Sequence, residues 1–456
     1  MPVGNVLSTV PGILWPALPG PHGAKMLSVQ YQLEQSQWLA ADKLKAVQLL
    51  QLYQVAHHAA TSVPYYQSLF AEQKITIRQE NIEEVWAAIP LLTRTTIQEQ
   101  GKRLISKNIP ASHGSLHKIQ TSGSTGRPIT TFGTAITSFM WLSLTLRDHL
   151  WHKRDLSRMF AAIRPEGNLE PGKGVSRQGW GPATDAVFAT GPSAALSVRT
   201  SVADQAAWLQ KQDPAYLLSL PSNVAALAEY FLSSQETLPN LKEVRTYGEI
   251  VGANVRQLCR QAWNVPVVDM YTSQEVGYIA LQCPGHKHYH IQSENLLVEI
   301  LDGDDKPVAP GGTGRIVLTT LHNFAMPLIR YVVGDYAELG ESCPCGRGLP
   351  VLNKIMGRKR NMLLLPDGRQ HWPSFPADLW QEFSGIRQFQ LIQKEKDFIM
   401  VRLVADRPLS GSAEDRLTSL LRDRFGYPFV IQYEYVNIIE RSKGGKFEDF
   451  ISEVVP

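Results

Sequence analysis

The sequence predicts an α/β protein: a large N-terminal α/β domain with a β-rich part, followed by a small C-terminal α+β domain. Three observations carry that expectation. From residue 202 to 275, apolar patterns of helical and strand period alternate, as in a sheet with helices between its strands. From 291 to 335 the texture turns to short apolar runs split by Gly, Pro and Asp turns. Beyond "GRKRN" (357–361), short strands and one helical stretch make a tail of roughly 100 residues, the size of a separate domain. The expected units are 1–356 and 357–456.

The elements can be read in order. Residues 42–70 carry apolar side chains at helical spacing and stop at Val63-Pro64. Residues 77–106 repeat the pattern, with Thr95 or Thr96 as the expected cap of a further helix. "AITSFMWLSLTLRDHLW" (135–151) reads as a long, mostly buried helix. Residues 202–232 read as helix, strand, turn and helix. "LKEVRTYGE" (241–249) and "VPVVDMYTSQE" (265–275) are strands ending in polar loops, with the helix "NVRQLCRQAW" (254–263) between them. "NLLVEIL", "RIVLTTL" and "LIRYVV" are strands, and "AEDRLTSLLRDRF" (413–425) is the helix of the tail.

Composition excludes several function classes. The 456 residues are 43% hydrophobic and 19% charged, the balance of an ordinary soluble globular protein. A net charge of +3 with dispersed basic residues gives no reason to expect nucleic acid or an anionic membrane as partner. No apolar run approaches the roughly 18 residues that span a bilayer. "MPVGNVLSTVPGILWPALPG" is apolar but broken by four prolines and lacks a basic start, so no secretory signal is expected. Four cysteines make no disulfide framework, and a cytoplasmic location follows as the expectation.

Chemistry concentrates in a few segments. In "KIQTSGSTGRPITTF" (118–132), Thr121, Ser122, Gly123, Ser124, Thr125 and Gly126 form a run without one apolar side chain. Such a loop offers hydroxyls and approachable backbone N–H groups, which suits phosphate oxygens. It is not the Walker type, because the Gly-Lys-Ser/Thr ending is missing. A plain flexible turn is the competing reading. Gly248-Glu249 closes one strand and Asp269 to Glu275 closes the next; Asp335 follows a glycine in "RYVVGDYAEL", and Lys446 follows two in "ERSKGGKFEDF". Each alone has a bland competitor: Glu275 a solvated carboxylate, Asp335 a turn residue, Lys446 one of several surface lysines, with Lys443 close by.

As an ordered set, these motifs resemble those of the adenylate-forming (acyl-activating) enzymes, and among them the phenylacetate–CoA ligase-like family. The likeness runs from about Leu44 to the C-terminus. It implies that the loop 121–126 lies near the ATP phosphates and that Gly248 and Glu249 lie against adenine. Asp269 and Tyr271 fall in the nucleotide-binding set, with Tyr271 stacking on the base. Thr272 would reach the α-phosphate, Glu275 would hold Mg²⁺, and Asp335, helped by Arg358, would take the ribose hydroxyls. Lys446 would bridge carboxylate and phosphate during adenylation, so Lys446, Glu275 and Thr272 are the catalytic set. The physics agrees: a carboxylate attacking an anionic phosphorus needs cations at the pentavalent centre. An acceptor-only Asp suits a vicinal diol.

The resemblance implies activation of a carboxylic acid as acyl-adenylate, with release of pyrophosphate and transfer to a thiol of CoA or a carrier protein. The run Phe139-Met-Trp141 suggests an aromatic or apolar acid, although such a run also suits a helix core. Two departures bear on the acceptor. The hinge pattern Gly-Arg-x-Asp-Asp reads Gly357-Arg-Lys-Arg-Asn361, and "LLLPDGRQHWPSFP" replaces a glycine-rich stretch. An amide-forming ligase with an amine acceptor is therefore the alternative, and a non-catalytic nucleotide-binding protein on the same fold is a third. The tail carrying Lys446 is expected to be mobile, and a homodimer is one expectation for the assembly.

Three of the four cysteines fall in "CPGHKHYHIQSE" and "CPCGRG". Cys283, Cys343 and Cys345, with His286, His288 or His290, would supply a closed Cys₃His set for structural Zn²⁺. The family resemblance selects His290. Free thiols in a turn are the competing reading, and Cys259 is expected in the core.

Overall fold

Apolar residues at helical spacing build five opening helices: α1 (Pro21–Ser36), α2 (Ala41–Ser62), α3 (Pro64–Glu72), α4 (Ile82–Trp86) and α5 (Arg94–Gln100). A computed structural model describes residues 6–121, 128–165, 169–373, 375, 379–380, 382–383, 385–441 and 446–454. Pro64 has no N–H to donate and takes the first position of α3, which is why the chain breaks at Val63. Thr93, and not Thr95 or Thr96, caps α5: its Oγ1 accepts from Thr96 N at 3.1 Å. A cap must precede the first helical residue and serve the N–H three positions on, and only Thr93 stands there.

The hairpin β1 (Leu116–Gln120) and β2 (Thr130–Thr134) leads into α6 (Ala135–Trp151). After it come β3 (Phe160–Arg164), β4 (Val175–Arg177), α7 (Pro182–Asp185), β5 (Ser193–Ser197), α8 (Val202–Gln212), β6 (Tyr216–Ser219) and α9 (Pro221–Ser234). Then follow β7 (Glu243–Tyr247), α10 (Ala253–Trp263), β8 (Val267–Ser273), β9 (Gly277–Gln282) and β10 (Tyr289–Ile291). The large sheet is completed by β11 (Leu296–Leu301), β12 (Thr313–Thr320), β13 (Tyr331–Leu339) and β14 (Val351–Arg358). Its twelve strands run β11-β12-β13-β14-β10-β9-β8-β7-β6-β3-β5-β4. Strands β5, β3, β6, β7 and β8 pair in parallel, and everything from β9 to β11 is antiparallel. The antiparallel part thus begins at Gly277, earlier than the residue 291 expected, because β8 turns directly into β9. Gly357 and Arg358 belong to β14 of this sheet, so the first residues assigned to the tail sit in the large domain.

Beneath the parallel strands, α6 and β7 are joined by buried charge. Arg154 donates to Asp148 Oδ2 at 2.8 Å and to Glu243 Oε1 at 2.6 Å. Arg245 meets the same Asp148 oxygen at 2.5 Å. Burial alone would raise the Asp148 pKa, but the Arg154 and Arg245 guanidiniums outweigh it and hold the carboxyl well below its ordinary range.

The tail contains β15 (Leu363–Leu364), β16 (Gln370–His371), β17 (Ile386–Glu395), β18 (Phe398–Ala405), α11 (Gly411–Phe425), β19 (Val430–Tyr435) and β20 (Phe450–Ser452). Four of these strands form a second sheet in the order β19-β18-β17-β20. Leu417, Leu421 and Phe425, four residues apart on one face of α11, pack on Leu391, Val401 and Leu403. Each such side chain, fully buried, contributes about 1.5–3 kcal/mol. Among the described residues, no helix is long and apolar enough to cross a membrane.

Candidate active site where the parallel sheet turns antiparallel

The C-terminal ends of β7 and β8, neighbours in parallel, bring Gly248–Glu249 and Tyr271–Thr272 to one edge. Open parallel sheets place ligands at such an edge. Ser273 pairs with Gly277, so Glu275 stands at the tip of the β8–β9 hairpin. Asp335 and Arg358 are cross-strand partners in β13 and β14, with Arg358 Nε 3.6 Å from Asp335 Oδ1. Tyr271 Oη donates to Asp335 Oδ2 at 2.7 Å. Burial first, and then the Asp335 carboxylate, push the Tyr271 hydroxyl well above its ordinary range, so it remains a donor.

The tail returns Lys446 to this edge. Gly248 has φ +79, and a Cβ there would lie 3.6 Å from Lys446 Cε, so glycine suits both the backbone and the lysine. Burial lowers the Lys446 pKa, Arg358 adds to that, and the carboxylates of Asp335, Glu249 and Glu275 oppose it. Residues far apart in sequence thus surround one ammonium.

The side chains of two expected site residues are engaged by other parts of the protein. Glu249, assigned to adenine, accepts from Ser222 N at 2.9 Å and from Phe447 N at 2.6 Å. Arg441 stands 3.7 Å from the same carboxylate and donates to Ser222 Oγ at 2.5 Å. Glu249 therefore fastens the lysine segment to the first turn of α9. Asp269, assigned to the nucleotide, is buried: its oxygens accept from Thr246 Oγ1 at 2.7 Å and Tyr289 Oη at 2.8 Å. It knits β7, β8 and β10 together behind the edge.

Thr121 closes the base of the Ser/Thr/Gly loop, its Oγ1 accepting from Arg94 Nη2 at 3.0 Å and Ile129 N at 3.1 Å. Ser122, Gly123, Ser124, Thr125 and Gly126, like Lys443, lie outside the described residues. Thr272 faces Tyr278 across the hairpin carrying Glu275. Among the described residues the Glu275 carboxylate makes no hydrogen bond or ion pair, and it lines a cavity of about 310 Å³. An unengaged carboxylate facing open space fits a hard divalent cation such as Mg²⁺. Of the run Phe139–Trp141, only Trp141 lines that cavity; Phe139 is buried against Met26 and Leu146, because residues two apart on a helix face different ways.

The cysteine–histidine segments also converge. Cys283, His288, His290 and Cys343 present donor atoms all within 4.8 Å of one another. Cys283 Sγ lies 3.8 Å from Cys343 Sγ, and Cys345 Sγ lies 3.4 Å from His290 Nε2. A tetrahedral zinc with Zn–S near 2.3 Å and Zn–N near 2.0 Å requires about 3.8 Å between sulfurs and about 3.5 Å between sulfur and nitrogen. The donor set fits. The four donors that all lie close to one another include His288, whose Nε2 is 2.9 Å from Cys343 Sγ, in the place expected for Cys345, which approaches from the His290 side. Sequence left three histidines open here; His290 lies in β10 and His288 in the bend just before it, and both reach the cysteines. The knuckle also anchors the N-terminal helices: Arg347 lies between the rings of Trp38 and Trp151, at 4.8 and 4.6 Å. Gly348 N donates to Gln37 O at 2.8 Å, and a Cβ at Gly348 would lie 1.7 Å from Leu39 O.

Comparison with solved structures places the architecture. Over 92% of both chains and at 19% identity, the fold superposes with a TM-score of 0.73 on 2-hydroxyisobutyryl-CoA ligase in the postadenylation state, bound to R3-HIB-AMP. The fold is that of the adenylate-forming enzymes. Against the same ligase in its thioesterification state with 2-HIB-AMP and CoA, over 91% of both chains, the TM-score is 0.59. In sequence the chain is similar to phenylacetate-coenzyme A ligase of Thermus thermophilus, 25% identical over 347 residues that cover 72% of this chain and 73% of that one. Residues 373–453, a span that includes Lys446, match the family profile of the CapK C-terminal domain.

Proposed function

We propose that this chain is an AMP-forming carboxylate ligase that activates an acid as its acyl-adenylate and passes the acyl group to the thiol of CoA. The observation that carries the reading is the return of Lys446 to the edge holding Gly248, Glu275, Asp335 and Arg358. A carboxylate oxygen attacks the α-phosphorus of ATP, the bond to the β-phosphate oxygen breaks, and pyrophosphate leaves. Asp335, held by Tyr271 and Arg358, would accept from the ribose hydroxyls. Lys446 would stabilise the negative charge between acid and phosphate. Mg²⁺ held by Glu275 would supply charge neutralisation at the phosphates. The thiol then attacks the acyl carbon and AMP leaves. A screen of carboxylic acids for pyrophosphate release, run with and without CoA, tests the reading; release with some acid in the absence of CoA is expected.

The tail is proposed to turn between the two half-reactions about residues 359–361. Lys359 is exposed, whereas Arg360 pairs with Glu448 at 2.7 Å and Asn361 donates to Phe450 O at 2.7 Å. Limited proteolysis is expected to cut at Lys359 or Arg360 and to be slowed by ATP plus the acid. Cleavage at one rate with and without ligands would count against closure.

One structural zinc per chain is proposed at Cys283, His290, Cys343 and Cys345, with His288 able to exchange for one of them. Closed sites of this kind contribute folding free energy and leave no open position. Elemental analysis of protein purified without added metal is expected to find about one zinc per chain, reduced in Cys343→Ser. Full occupancy in that variant would remove the proposal. All four cysteines are free of disulfides, which suits a reducing cytoplasm.

A further inference from the structure

The cavity beside Glu275 lies between the β1–β2 hairpin, the start of α6 and the end of β12, and its walls state what acid it takes. Ile119, Trp141, Val276 and Leu296 give it an apolar body, and about 310 Å³ suits an acid with a single ring. His117 and Ile119 both face it because they are two apart on β1, the strand that leads into the Ser/Thr/Gly loop.

Its deeper polar groups are mostly engaged elsewhere. Asn323 accepts from Ala325 N and Met326 N at 3.1 Å and donates to Phe132 O at 2.9 Å. Thr320 Oγ1 accepts from Leu328 N at 3.1 Å, and Asn295 donates to Tyr278 O at 3.4 Å. His322 is different. Its Nδ1 is buried with no hydrogen-bond partner, and among the described residues its ring makes no hydrogen bond at all. Burial pushes its pKa down to about 4, and His113 adds to the effect, so the ring is neutral at pH 7.

A neutral ring must place one proton. A buried, orphaned N–H is rarer in proteins than an under-used acceptor, which puts the lone pair on buried Nδ1 and the proton on Nε2. Nε2, which is not among the buried unpartnered atoms, is then the donor that this lining residue offers the cavity.

We propose that His322 is a specificity residue that donates to an acceptor atom on the acyl body, so that the substrate is a single-ring-sized acid carrying a hydroxyl, ether, oxo or ring-nitrogen group. The proposal rests on the acid-activating reading above and sharpens the aromatic or apolar acid expected from sequence. A site built to hydrogen-bond a substrate group discriminates strongly against the analogue that lacks it, because its own donor is then left unpaired.

The test measures acid-dependent pyrophosphate release with pairs of arylcarboxylic acids that differ only by one ring hydroxyl or ring nitrogen, across all ring positions. For the parental protein, kcat/KM is expected to favour the substituted member of the best pair by about tenfold or more. In His322→Phe that ratio should fall to within about threefold, and in His322→Gln, which restores an N–H donor, it should largely return. The ratio does not depend on the fraction of folded enzyme. Release that is equal or faster with the unsubstituted acids, or a ratio unchanged in His322→Phe, would overturn the inference and leave acid activation standing. No release with any acid would overturn both.

Discussion

Lys446→Ala is expected to lose pyrophosphate release by a few hundred-fold while still converting a chemically prepared acyl-adenylate when CoA is supplied. Its ammonium lies beside Gly248 near the carboxylates of Asp335, Glu249 and Glu275, where on the proposed reaction negative charge would accumulate as the acid attacks phosphorus. Removing a charge-assisted donor from such a place costs about 3–4 kcal/mol of barrier. The transfer step would carry no such demand, since the proposed turn of the tail would take the lysine away with it. The Glu249 carboxylate that binds Phe447 N would release the segment at that point. Single-turnover assays of each half-reaction separate the two effects. A near-parental rate of pyrophosphate release in Lys446→Ala would sink the role assigned to it.

Asp148→Ala is expected to destabilise the fold by about 3–5 kcal/mol, because it strips a buried counter-charge from two guanidiniums. Arg154 would keep Glu243, but Arg245 would lose the carboxylate it meets at 2.5 Å. The network ties the end of α6 to β7, the strand that leads into Gly248 and Glu249, so that edge should loosen with it. Since the folded-state pKa of Asp148 is depressed, its contribution is present above the ordinary carboxylate pKa and is lost as pH falls below that range. Urea midpoints followed by tryptophan fluorescence at pH 7 provide the measurement. A loss below about 1 kcal/mol would show that the charges are not coupled as described.

What could be read from sequence followed from local rules. The helix Ala135–Trp151 has the boundaries its apolar pattern indicates, and Val63-Pro64 breaks the chain for a reason internal to proline. The ordered motifs brought Tyr271, Asp335, Arg358 and Lys446 to one edge, because strand ends and a returning tail carry them there. Roles set by tertiary partners were not legible. Nothing local distinguishes Asp269, engaged by Thr246 and Tyr289, from an acid facing ligand. Glu249 reads as part of a strand-end motif until Phe447 is seen against it. The Thr93 cap could have been found by counting back three residues from Thr96. His322 carried no motif, and its meaning comes only from the cavity it lines and the partners it lacks.

The central claim, that this chain joins a carboxylate to the α-phosphorus of ATP, has one direct measurement. An accepted acid labelled with oxygen-18 in its carboxyl group is turned over with ATP and CoA, and the phosphorus-containing products are analysed by mass. Attack of the carboxylate on the α-phosphorus, followed by departure of AMP from the acyl carbon, must leave one labelled oxygen in AMP and none in pyrophosphate. Label appearing in inorganic phosphate together with ADP would mean attack at the γ-phosphorus and would contradict the account.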